Sequence, residues 1–381
     1  MFFDLSAIIT DATPYLLWAI AACSAMVGIV VLMTVLQRLK NNRMDSVVRE
    51  FIEKIETYFD NRGAAVNLIN STPSEIRAIV TPKYFGAFER FLRNRISRSD
   101  ASDWDIHLCR EIAQKSGFTK KKRRCTKSGR MWKRAMAIRT LGYLRDSQNR
   151  SLFREVIDQS SSSQLCFSAS MGLALMGDVE YLIRIMEKLY PDASLGRDRA
   201  LSIVTAYGSA ACPKIAGLLT QNGMSDSVKT VFLDYLRINS YKEGQESIVT
   251  LAKGSQNPEV LIHAVEALGI VGDSNTVSFI EQFCDSSDFR LRLKSIVAIG
   301  LLDGAKSEQK LRAALDDPDW WVRRNAAEAL VAIQGIQSLE MVVTEGQGVS
   351  PAARIAKLVI DENKFGRKRM RYRFGDYEHI S

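Results

Sequence analysis

Between Asp316 and Ile333 the chain reads DDPDWWVRRNAAEALVAI. A D-P-D turn leads to V-R and then to A-A-x-A-L, so a capped turn opens a helix with a small-residue face. The preceding stretch keeps the same register 31 residues earlier: Asp288 stands for Asp319, Arg292 for Arg323 and Ala298 for Ala329. A pattern that returns at a fixed interval of this size signals a repeat architecture.

Working outward, one hexapeptide recurs seven times: LGYLRD from Leu141, LALMGD from Leu173, VTAYGS from Val204, YLRINS from Tyr235, LGIVGD from Leu268, IGLLDG from Ile299 and LVAIQG from Leu330. Successive starts lie 31 to 33 residues apart. Each hexapeptide closes a segment with helical periodicity, such as Val260 to Gly269 or Leu291 to Gly300. Its fifth position is Gly177, Gly208, Asn239, Gly272 or Asp303 in five units, with Arg145 and Gln334 departing. Gly, Asn and Asp accept a left-handed backbone, so the first helix of each unit is expected to stop there. A second, shorter periodic segment follows in every unit, as in Thr276 to Phe283 and Ser307 to Leu315. Helix, turn and helix, stacked along the chain, make an α-solenoid.

The stretch from Asp316 to Ile333 resembles the short HEAT-like repeats first described in phycobilisome lyases. That resemblance implies that the Asp caps the incoming helix and that the Arg bonds acidic or carbonyl groups of the adjacent unit, forming a ladder. Leu261 stands where the previous unit would carry its Arg, so the ladder is expected to be incomplete.

From Leu16 to Leu36 the run LLWAIAACSAMVGIVVLMTVL holds no charge. As a helix it would be roughly 30 Å long, which is the reading of a transmembrane span. Tyr15 and Trp18 mark its first end and Arg38, Lys40 and Arg43 follow its last, so the positive-inside rule places residues 1–15 outside and the rest in the cytoplasm. The expected location is the inner membrane. Ser24 and Gly28 form a small-xxx-small step through which two such helices would pair. Residues 44–131 read as a helical cap or as degenerate repeats, with Thr72-Pro73-Ser74-Glu75 as a capping box, Thr81-Pro82 as a second helix start and Ser102 as a third cap.

The formal net charge is +9, and two stretches carry all of it. Lys120 to Arg134, KKKRRCTKSGRMWKR, contains nine basic residues and no acid, and Lys364 to Arg373, KFGRKRMRYR, contains six more, so the rest of the chain is net acidic. Lys121, Arg123 and Arg124 in the first and Arg367, Arg369 and Arg371 in the second are the candidate contacts for an anionic surface. Lipid headgroups fit this chemistry, and nucleic acid is the alternative.

Chemistry is sparse. Three histidines (His107, His263, His379) are too scattered for a metal pair, and six cysteines (Cys23, Cys109, Cys125, Cys166, Cys212, Cys284) include no C-x-x-C, so a zinc site and a disulfide framework are both disfavoured. No P-loop, no G-x-G-x-x-G after a strand and no G-x-S-x-G elbow occur. No catalytic residue, cofactor or metal is therefore expected, and His263 reads as a packing or surface residue.

The expected fold class is all-α: an α-solenoid of about seven HEAT-like helix pairs over 132–360, with a transmembrane helix at 16–36 and a basic tail at 361–381. The arrangement resembles bacterial membrane-anchored HEAT-repeat proteins, of which some accompany inner-membrane family-2 glycosyltransferases in exopolysaccharide systems. The resemblance implies a non-enzymatic scaffold that binds a membrane protein or membrane-associated enzyme. A nucleic-acid tether and a HEAT-like lyase are the alternatives. Trp320 and Trp321 are adjacent at a helix entrance, so one is expected in the core and the other at the surface, where with Arg323 and Arg324 it would contact the partner.

Overall fold

The computed structural model describes the backbone of residues 5–97, 100–190, 196–221, 223–302, 307–346 and 350–364, and the side chains of these except 5–22, 36–37 and 39–44. Every regular element among them is helical. The chain divides into two compact units, one of residues 1–97 with 101–127 and one made mainly of residues 128–381.

The first unit contains α1 (Leu5–Asp60), α2 (Arg62–Asn70), α3 (Pro73–Ile79), α4 (Phe85–Ile96), α5 (Asp103–Lys115) and α6 (Phe118–Cys125). Val48, Phe51, Ile55 and Phe59 recur at three and four places along α1 and are buried, which sets one stripe of that long helix against α4. The contact is largely aromatic. Phe51 meets Phe88 edge to face with ring centroids 5.9 Å apart, Phe59 lies 5.1 Å from Phe91, and Phe118 of α6 closes on Phe88 at 5.0 Å. The Thr72 capping box forms as expected, with Glu75 accepting from the Thr72 backbone at 2.7 Å. Thr81 instead opens a short 3-10 turn, Pro82–Tyr84, and neither its hydroxyl nor that of Ser102 makes a capping bond.

The transmembrane reading is corrected here. Among the described residues no helix is long and apolar enough to cross a membrane. The helix that carries the apolar run, α1, does not end with it. Beyond it the same helix runs on through the charged segment to Asp60. The inner-membrane location and the outward N-terminus fall with the span on which they rested.

The second unit alternates long and short helices. The long ones are α7 (Met131–Tyr143), α9 (Ser163–Leu175), α11 (Arg197–Thr205), α13 (Asp226–Ile238), α15 (Pro258–Val271), α17 (Phe289–Leu301), α19 (Trp320–Gln334) and α21 (Pro351–Lys364). Between them lie α8 (Arg150–Gln159), α10 (Leu182–Leu189), α12 (Cys212–Leu218), α14 (Gln245–Gly254), α16 (Val277–Glu281), α18 (Glu308–Ala313) and α20 (Gln337–Glu345). Each long helix packs on the next long one, and most also pack on the short helix that precedes them in the chain, so one continuous apolar core runs from Ala135 to Ile360. This is the HEAT-like solenoid that the repeat spacing predicts.

The left-handed residue after the long helices is present, but its place slides. Gly177, Gly208 and the non-glycine Arg145 take positive φ (69°, 69° and 47°) at the fifth hexapeptide position. In the fourth and seventh units the helix runs on to Ile238 and Gln334, and the left-handed turn moves to Ser240 (49°) and Gly335 (82°). Gly272 is extended at φ −72°, and Asp303 lies outside the described residues. The capping and ladder expectations hold at the motif itself: Asp288 accepts from the Arg290 backbone and Asp319 from Trp321 and Val322. Arg292 reaches Asp317 of the following unit, whereas Arg323 turns to the carbonyls of Asp317 and Pro318 at 2.6 and 3.0 Å. The gap at Leu261 is matched by the loss of its acid, because Ser286 stands one repeat before Asp317.

Candidate partner-binding edge

Long helices in consecutive units begin at equivalent places, so their first residues form a row. In the last four units that row is Pro258, Phe289, Trp320 and Pro351, and all four are exposed. Neighbouring helices in such packing lie about 8–10 Å apart, which makes the row an apolar edge of roughly 30 Å. Large apolar side chains left in water at regular spacing mark an interaction surface more strongly than scattered ones. An exposed aliphatic row, Ile238, Ile270 and Leu301, lies at the opposite ends of α13, α15 and α17.

The four residues expected to meet a partner divide sharply. Trp320 is 39% exposed, and its ring stands edge to face against Trp321 with centroids 4.7 Å apart. Trp321 is half-buried, so the expectation that one tryptophan enters the core is corrected: it packs against its neighbour at the helix entrance. Arg324 places its guanidinium 5.5 Å from the Trp320 ring centroid and is tied to Glu328 at 3.2 Å and Glu362 at 2.9 Å. Arg323 is spent on carbonyls at the entrance of its own helix. Only Trp320 of the four presents itself to solvent.

Of the basic candidates, Lys121 is exposed with its ammonium 4.8 Å from the Phe85 ring centroid, Arg124 is exposed, and Arg123 is half-buried and engaged. Arg367, Arg369 and Arg371 lie outside the described residues.

A polar cluster inside the helix layer escaped the motif reading. Asp234 of α13 is buried and receives Arg197 of α11, His263 Nδ1 of α15 at 3.2 Å and Arg237 at 3.8 Å. His263 also lies 3.5 Å from Glu266, and Glu266 receives Lys294 of α17 at 2.5 Å. Burial pushes the Asp234 carboxyl up, but His263 and Arg197 outweigh it and hold the group below the ordinary carboxylate range. Asp234, His263 and Glu266 offer ligand atoms within 4.8 Å of one another. Their oxygens already face Arg197, Arg237 and Lys294, so this donor set is neutralised by its own cations and fits a structural ladder better than a metal. The signal was a column. Asp234 and Glu266 hold one place after their caps at Ser225 and Asn257, while His263 and Lys294 hold another after Asn257 and Asp288.

Residues 277–347 match the family of HEAT repeats. Among solved structures the chain is similar in fold to one described as the complex of CpcE and CpcF of phycocyanin lyase from Nostoc sp. PCC7120, at 15% identity and a TM-score of 0.28, covering 64% of this chain and 94% of that one. No curated protein matches the sequence.

Proposed function

We propose that this chain is a non-enzymatic protein-binding scaffold whose HEAT-like solenoid grips its partner along the exposed edge of Pro258, Phe289, Trp320 and Pro351. The observation that carries the reading is that row. A preformed helical array loses little conformational freedom when it binds, so a few rigid apolar anchors suffice. Trp320 is the anchor of choice, since a large amphipathic ring held edge-on by Trp321 and flanked by Arg324 has the make-up of a binding hot spot. No bond is made or broken.

The test is affinity capture with the tagged full chain beside Trp320→Ala and Phe289→Ala variants, each checked for native helicity by circular dichroism. A stoichiometric protein retained by the parent and lost by both variants supports the scaffold. Retention undiminished in both variants removes this edge from the reading, and turnover of a substrate by the purified chain would replace it with an enzyme.

A further inference from the structure

The first unit carries a second surface, independent of that edge. Helix α6 has no acidic residue of its own, and Lys120 and Lys121 occupy its first turns, where the helix dipole disfavours positive charge. Lys120, Arg124 and Lys127 follow one another at i, i+4 and i+7 and are exposed, with Lys127 in the turn that continues the helix. Like charges so placed repel one another. Lys122 is neutralised by Glu89 of α4 at 2.7 Å, yet among the described residues Lys120, Arg124 and Lys127 have no ion pair. The fold thus keeps an uncompensated basic stripe that works against its own helix.

We propose that this stripe docks an acidic helix of a partner protein, with carboxylates at i, i+4 and i+7 set against Lys120, Arg124 and Lys127. Two α-helices share the same rise, so carboxylates at that spacing follow one another at steps of about 6 and about 4.5 Å and meet the cations one to one. The rings around α6 argue against a stacked nucleic-acid strand. Phe85, Phe88 and Phe118 are buried, and Phe85 is covered by the Lys121 ammonium, so none of these three rings is free for a base to stack on. Because α6 belongs to the first unit and the Phe289–Trp320 row to the second, either surface can fail without the other.

The test is fluorescence anisotropy at low salt with the full chain and three labelled probes: a helical peptide bearing glutamates at i, i+4 and i+7, a peptide of the same composition with the glutamates distributed around the helix, and a short DNA duplex. The striped peptide is expected to bind about tenfold more tightly than the distributed one, and to lose about tenfold in affinity with the K120E/R124E/K127E triple variant. A Lys120→Gln/Arg124→Gln/Lys127→Gln variant relieves the repulsion and keeps the helix; it should lose the peptide while its melting temperature holds or rises. Equal binding of the two peptides, tighter binding of the duplex, or unchanged binding by the glutamine variant would each overturn the proposal.

Discussion

Arg292 and Asp317 are joined by a two-pronged bond, Nε to Oδ2 at 2.7 Å and Nη2 to Oδ1 at 2.9 Å, across the boundary between consecutive repeats. Both side chains are nearly enclosed, and Arg292 Nη1 also donates to the Ser286 carbonyl at 2.8 Å. The Asp317 carboxylate holds the guanidinium pKa above its ordinary value. Arg292→Leu strands a buried carboxylate, so the expected loss is about 3 kcal/mol in urea or thermal unfolding. Adding Asp317→Asn should restore part of it, as the natural Leu261 and Ser286 combination one repeat earlier implies. A single Leu variant as stable as the parent would show that the rung carries no weight.

Helices α7 and α9 approach backbone to backbone. A Cβ on Gly142 would stand 2.8 Å from the Cα of Gly172, where nothing flexible can yield. Gly142→Ala should therefore cost roughly 1–3 kcal/mol despite the better helix propensity of alanine. Gly217, which has nothing within 4 Å of a built Cβ, is the control: its alanine variant should be neutral or slightly stabilising when melting temperatures are compared.

The Asp234 cluster predicts a signed dependence on pH. The folded-state pKa of this carboxyl is depressed, so its contribution is fully present above the unfolded value near 3.9 and fades as pH falls through the lower folded value. Asp234→Asn leaves Arg197 and His263 facing a neutral amide. The variant should lose about 2–4 kcal/mol near neutrality, and the difference from the parent should shrink below about pH 4. Urea titrations across that range read the effect, and a constant difference at all pH values would contradict it.

Thiol reactivity should separate the cysteines by burial. Burial pushes the Cys284 thiol up to about 12, and it also raises those of Cys109, Cys166 and Cys212, whereas Cys23 is exposed. The thiolate is the reactive form. With a disulfide reagent at pH 8, Cys23 is expected to react at once, and Cys109 and Cys284 at the rate of unfolding. Mass mapping of early products decides it.

The repeat was legible in the sequence because its determinants are local. The helix starts at Asp288 and Asp319 depend on bonds to backbone groups two or three residues away, and the apolar spacing depends on the helical period alone. Even the left-handed turn was foreseeable in kind, while its slide to Ser240 and Gly335 accompanies helices that run one or two residues further into the hexapeptide than α7 and α9 do.

What only the tertiary structure decided is who meets whom across helices. Trp320 and Trp321 are chemically alike in sequence, yet one is exposed and the other is held at the entrance. Arg324 is spoken for by Glu362, thirty-eight residues on, and Asp234 by His263, twenty-nine residues on. The apolar run of α1 reads as a span on charge alone, whereas among the described residues no helix is long and apolar enough to cross a membrane. Composition and period fix how each helix forms, whereas the distance and rotation between helices fix which side chains remain in water, and that relation is set by the whole packed array.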